Sequence, residues 1–217
     1  MRQHLAQLLG LEKSGLSRGQ RYHFLAGWLP WLADGFNLGF NMLAIGWSAA
    51  MVLMPDDVAP PPIVFAVLPI ALFAFKVTKM FFLYRARVEA GLRQSLAAGL
   101  AGLALSHVIA RAMLTGFVTR SVGFFRTPKR AEAHGLLRAL LDAREELLFL
   151  TAMLLAAYAV LLREDGDLLD VRVWSAMLMI QAIPYAAAGL MSLISAAPRL
   201  PGGMVGPLRH LSHHQPG

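Results

Sequence analysis

Phe124-Phe125-Arg126-Thr127-Pro128-Lys129 sets a hydroxyl, a proline and two cations between strongly apolar segments. A loop of this composition suits a visiting anion, because Arg126 and Lys129 bring charge and Thr127 brings a directed hydrogen bond. The plainer reading is an anchor in which Arg126, Lys129 and Arg130 contact lipid phosphates. A second group lies near the N-terminus, where Gln20, Arg21 and His23 stand beside Phe24, Trp28 and Trp31. An interfacial belt accounts for the aromatics. Planar rings beside amide and cationic donors equally suit a sugar acceptor, whose faces stack and whose hydroxyls take hydrogen bonds.

Further polar groups are set inside apolar runs. Asn37, Asn41, Gln181 and Tyr185 carry sugar-compatible groups, and a spacing of four puts Asn37 and Asn41 on one helical face. They suit either a channel lining or hydrogen bonds between helices. Lys76 and Lys79 stand near the end of their apolar run and are expected to snorkel to head groups. Asp165-Gly166-Asp167 spells a metal-binding D-x-D, yet it falls in an acidic loop with no nucleotide fold around it. His210, His213 and His214 belong to a tail rich in Gly and Pro, expected to be disordered. The chain has no cysteine, so disulfides, thiolate metal sites and a cysteine nucleophile are excluded. No Gly-rich phosphate loop is present either. The sequence therefore assigns this chain neither a catalytic residue nor a metal site.

The elements that must position these groups are membrane helices. Apolar residues make up 57% of the 217 positions and charged ones only 15%, with a mean hydropathy of +0.54. The net charge of +7 sits beside apolar spans, which points to lipid head groups or a phosphate-bearing ligand and not to nucleic acid. Met1 to His23 is polar and mildly basic with no cleavage site, so no signal peptide is expected.

Four segments are long enough to cross about 30 Å of hydrocarbon: residues 36–54, 63–84, 146–162 and 171–197. The loop 55–62 holds Asp56, Asp57 and four prolines, and the loop 163–170 holds four carboxylates against one arginine. Both read as exterior. Ten cations between Arg85 and Arg144 and the basic termini read as cytoplasmic. The stretch 96–118 is long enough to span as well. Ser106, His107 and Arg111 interrupt it, however, and a crossing there exports a basic loop, so it is expected to be an interfacial helix. A further amphipathic stretch, 131–145, pairs Arg138 with Asp142.

The expected protein is thus all-α and integral to the membrane, with about four transmembrane helices, amphipathic interfacial helices and both termini cytoplasmic. Residues 1–35 form an interfacial segment, 36–84 a first pair of spans, 85–145 the cytoplasmic helices and basic loop, 146–197 a second pair, and 198–217 a tail.

This order of elements resembles the C-terminal membrane region of family 2 inverting glycosyltransferases of the cellulose-synthase type, over nearly the whole chain. Gln20-Arg21-Tyr22-His23-Phe24 has the spacing of the family's Q-x-x-R-W motif, with His23 in place of arginine and Phe24 in place of tryptophan. Phe124, Thr127 and Lys129 fall on the named positions of the gating loop F-x-V-T-x-K-G, with Arg126 for the valine and Arg130 for the glycine. The resemblance implies that Gln20, Arg21, His23, Phe24 and Trp28 face the acceptor. It implies that Phe124, Arg126, Thr127 and Lys129 close over a nucleotide sugar, and that the spans carry a growing polysaccharide outward through a bacterial inner membrane.

The nucleotide-sugar domain, with its general base and divalent metal, is not in these residues. The resemblance places it upstream in a longer reading frame or in a separate subunit. The competing expectation is a small transporter or assembly subunit whose basic loop binds anionic lipid.

Overall fold

The computed structural model describes residues 15–88, 90–119, 136–163 and 168–196. Among these residues all regular structure is helical, with no strand. The elements are α1 (Arg18–Leu53), α2 (Val64–Arg87), α3 (Leu92–Ala104), α4 (Ser106–Val118), α5 (Leu136–Asp142), α6 (Arg144–Leu161) and α7 (Leu169–Ala196).

Four helices are long and apolar enough to cross a membrane: Arg18–Leu53, Val64–Ala86, Leu92–Val118 and Leu169–Ala196. The number matches the expectation, but the membership differs. The stretch expected to lie at the interface is helical from Leu92 to Val118 with a break at Leu105, and it packs α3 on α7 and α4 on α1. Its polar residues are paired across helices, Ser106 and His107 inside the bundle and Arg111 on its exposed flank. Ser106 accepts from Lys76, while His107 and Arg111 both reach Glu145. Conversely α6, counted as a span from the sequence, begins with Arg144, Glu145 and Glu146, three charges in one turn. Its remaining residues are apolar apart from Thr151 and lie along α7. There Ser175 Oγ donates to the Ala157 carbonyl at 3.0 Å, a close approach that the small residues permit.

Local signals set the helix ends. Ser17 caps α1: its Oγ accepts from Gln20 N at 3.3 Å, and Gln20 Oε1 accepts from Ser17 N at 2.9 Å. α1 then runs unbroken for 36 residues, through Pro30. That is about 54 Å, roughly 24 Å more than the hydrocarbon core. At the other end Arg163, just past α6, donates to the carbonyls of Met51 and Pro55, the latter at 3.3 Å. The connections that follow α1 and α6 therefore lie at the same end of the bundle.

The core fills the space between α1, α2, α6 and α7 with Met51, Met153, Val160, Met177 and Leu178, all fully buried. Trp174 completes it, with its ring edge-on to Phe40 and its Nε1 donating to Ser48 Oγ at 2.9 Å.

Candidate functional site

Helix geometry fixes the depth of the polar groups. At 1.5 Å per residue, Asp34 lies about 28 Å from Leu53, and Glu145 and Tyr185 lie about 24 Å from Leu161 and Leu169. Asp34, Lys76, Ser106, His107 and Glu145 are joined through contacts and so form one layer at the end of the bundle away from Leu53.

Lys76 does not snorkel outward as expected. Its Nζ lies 2.5 Å from Asp34 Oδ1 and 2.6 Å from Ser106 Oγ, joining α1, α2 and α4. The carboxylate 42 positions earlier is buried and offers a better partner than the interface, because a charge leaving water is retained only where it is paired.

On the other side of α4 the His107 ring is buried, with Nε2 3.3 Å from Glu145 Oε2. Arg111, one turn on, grips the same carboxylate with both oxygens 2.5 Å from its Nη1. Glu145 precedes the apolar run of α6. The hydrogen bond from His107 and those from Arg111 hold its carboxyl below the usual carboxylate range. The opposite side of the layer is aromatic. Phe149 and Tyr185 stack at 5.1 Å between centroids, and His107 tilts against both rings at 5.3 and 5.8 Å.

Tyr185 also leads from this layer to residues singled out as channel candidates. Asn41 Nδ2 donates to Tyr185 Oη at 3.0 Å across 144 positions, and both side chains are buried. Gln181, one turn from Tyr185 on α7, is 0% exposed, and neither its amide oxygen nor its nitrogen has a partner in the bundle. Asn41 Oδ1 is likewise unpaired. Asn37 does not join them. It lines a separate apolar cavity of about 900 Å³ with Gly35, Phe36, Gly39 and Phe117. Asn41, Gln181 and Tyr185 are thus packed together in a closed interior.

The acceptor candidates occupy the projecting part of α1, beyond Asp34. Gln20 is exposed and its side-chain oxygen is engaged in capping the helix. Arg21 is half-buried and His23 is exposed, edge-on to Tyr22 at 5.7 Å. Phe24 meets Trp28 edge-on at 6.4 Å. The spacing of the motif places Gln20 and Phe24 one turn apart on this helix. Phe124, Arg126, Thr127 and Lys129 lie outside the described residues, as do Asp165, Asp167 and the tail histidines. Arg138 and Asp142 share α5 but form no ion pair.

Sequence reasoning missed Asp34, Glu145 and Phe149. The signal for Glu145 was present in the spacing of His107 and Arg111, which puts a hydrogen-bonding ring and a cation on one face and so demands an acidic neighbour. Comparison with known proteins adds nothing to this geometry: no protein family, curated protein or solved structure matches the chain.

Proposed function

We propose that this chain is the membrane-embedded part of a family 2 glycosyltransferase of the cellulose-synthase type, acting in polysaccharide synthesis and export. In this reading the projecting end of α1 faces the sugar acceptor through Gln20, Arg21, His23, Phe24 and Trp28. Phe124, Arg126, Thr127 and Lys129 close over the nucleotide sugar, and Asn41, Gln181 and Tyr185 belong to the polymer's path. The acidic connections face the exterior and the termini the cytoplasm of a bacterial inner membrane. Sugar transfer itself belongs to a nucleotide-sugar domain, with its metal, on another stretch of chain or another subunit.

The observation that supports this reading best is the meeting of Asn41 with Tyr185 beside the unpaired amide of Gln181. Unpaired amides in hydrocarbon are costly, and a bundle serving only to anchor has no use for them. Amide groups next to a stacked aromatic pair match the chemistry of a saccharide, which offers hydroxyls at its edge and C–H groups on its face. The Gln181 carbonyl and amino groups and the Asn41 oxygen lack partners, so a saccharide that parts this closed packing meets three hydrogen-bonding atoms.

The test is incorporation of labelled sugar from nucleotide-sugar donors into polymer, using the chain reconstituted with the nucleotide-sugar domain encoded upstream or beside it. Gln181→Leu with Asn41→Leu is expected to lower polymer formation while the protein remains folded. Unchanged polymer formation, or no such domain in either place, overturns the reading.

A further inference from the structure

Glu146 is 7% exposed and makes no hydrogen bond or ion pair with any described residue. It lines two adjoining cavities, one of about 830 Å³ between α4, α5 and α6 and one of about 330 Å³ that continues between α5 and α7. Its neighbour Glu145 is occupied by His107 and Arg111. A buried carboxylate without a counter-charge costs several kcal/mol, so such groups are held where a cation completes them. Among the described residues no three acidic or histidine side chains gather to hold a metal ion.

The same cavity has a second unsatisfied group. His107, also 7% exposed, lines the larger chamber, and its Nδ1 is buried without a partner. With Nε2 carrying the proton toward Glu145, Nδ1 is a lone-pair acceptor. Nδ1 itself has almost no accessible surface, so the acceptor that the chamber offers a guest is the Glu146 carboxylate, which a cation with N–H donors satisfies. At the rim stands Arg144, exposed and with no carboxylate partner among the described residues, ready for an anion. Glu146 lies about 22 Å along α6 from Leu161, close to where hydrocarbon gives way to head groups.

We propose that this cavity binds the head group of an aminophospholipid, with the primary ammonium on Glu146 and the phosphate toward Arg144. A primary ammonium has three N–H donors to offer the carboxylate. A quaternary choline has none. The complementarity is to a zwitterion, which distinguishes this site from a general basic patch that collects anionic lipid. The proposal does not depend on the glycosyltransferase reading.

The experiment uses the full chain in bilayers of phosphatidylethanolamine and phosphatidylcholine in equal parts. After gentle extraction, the lipids carried by the protein are quantified by mass spectrometry. Wild type is expected to be enriched in phosphatidylethanolamine, and Glu146→Gln, which keeps shape and removes charge, to lose roughly tenfold or more of that preference. Arg144→Ala is expected to weaken retention of the same lipid.

Equal carriage of the two lipids by wild type overturns the proposal, and so does a Glu146→Gln protein that elutes as wild type and keeps the preference. Binding of soluble O-phosphoethanolamine without lipid enrichment assigns the chemistry to a free ligand and overturns the lipid. If Glu146→Gln fails to fold, the comparison of the two lipids on wild type decides alone.

Discussion

Lys76 and Asp34 hold each other at 2.5 Å, one on α2 and one on α1, and Ser106 of α4 completes the contact at 2.6 Å from the same nitrogen. Three helices thereby meet at one charged point within an apolar bundle. Lys76→Met leaves Asp34 buried without its cation and is expected to cost about 3–5 kcal/mol. Lys76→Met with Asp34→Asn is expected to recover most of that. Thermal unfolding in detergent measures both; a double variant as unstable as the single one contradicts the pairing.

The polar interior divides into a satisfied and an unsatisfied part. Tyr185→Phe removes the partner of Asn41 and is expected to lower stability by about 1 kcal/mol. Gln181→Leu removes two unpaired atoms and is expected to raise stability by about 1–3 kcal/mol. Opposite signs in the same unfolding assay are the expected outcome. A loss for Gln181→Leu means that the amide has a partner in the folded protein.

Glu145 carries the pH dependence. Because its folded carboxyl lies below the ordinary range, its contribution is fully present above the unfolded value and disappears as pH falls through the folded one. The stability difference between wild type and Glu145→Gln is expected to be constant near neutrality, to shrink once pH falls below the ordinary carboxylate value, and to vanish below the depressed folded one. A difference that grows on acidification contradicts the assignment.

Arg163 closes the C-terminal carbonyls of α1 by reaching Met51 and Pro55. Arg163→Ala is expected to cost about 0.3–1 kcal/mol and to speed amide exchange in the last turn of α1. Exchange confined to α6 and α7 instead argues against this tie.

The chain has no cysteine, so a single Thr127→Cys variant reports topology cleanly. Labelling by a membrane-impermeant reagent from the cytoplasmic side only is expected. Modification from the exterior side removes the basis for a cytoplasmic gating loop. In the reconstituted enzyme, Thr127→Ala with Lys129→Ala is expected to lower sugar transfer, whereas unchanged turnover leaves those residues as lipid anchors.

The helical membrane class was legible because composition and run length decide it, and the pairing of Asn41 with Tyr185 was foreshadowed by polar residues lodged in apolar runs. Three of the four segments long and apolar enough to span were legible, but the place of 96–118 among them, in exchange for 146–162, was not. His107 and Arg111 look too costly for a packed helix until Glu145 is placed beside them, 34 to 38 positions away, with the ring buried and the guanidinium on the exposed flank. Lys76 was misread for the same reason. A hydropathy run scores each charge alone, whereas the cost of burial depends on a partner that only the tertiary fold supplies. The capping role of Gln20 was hidden differently, since a motif spacing does not distinguish a side chain that faces a ligand from one that closes its own helix.

The unbroken course of α1 has a mechanical consequence. Asp34 is pinned by Lys76, and the 14 residues back to Gln20 extend as an arm about 21 Å long. A rotation of roughly 5° about that fulcrum sweeps Gln20 through about 2 Å. Pro30 lies one turn from the fulcrum, where a helix without one backbone donor bends most easily. A bend at that point redirects the aromatic end of α1 relative to the Lys76–Asp34 pair.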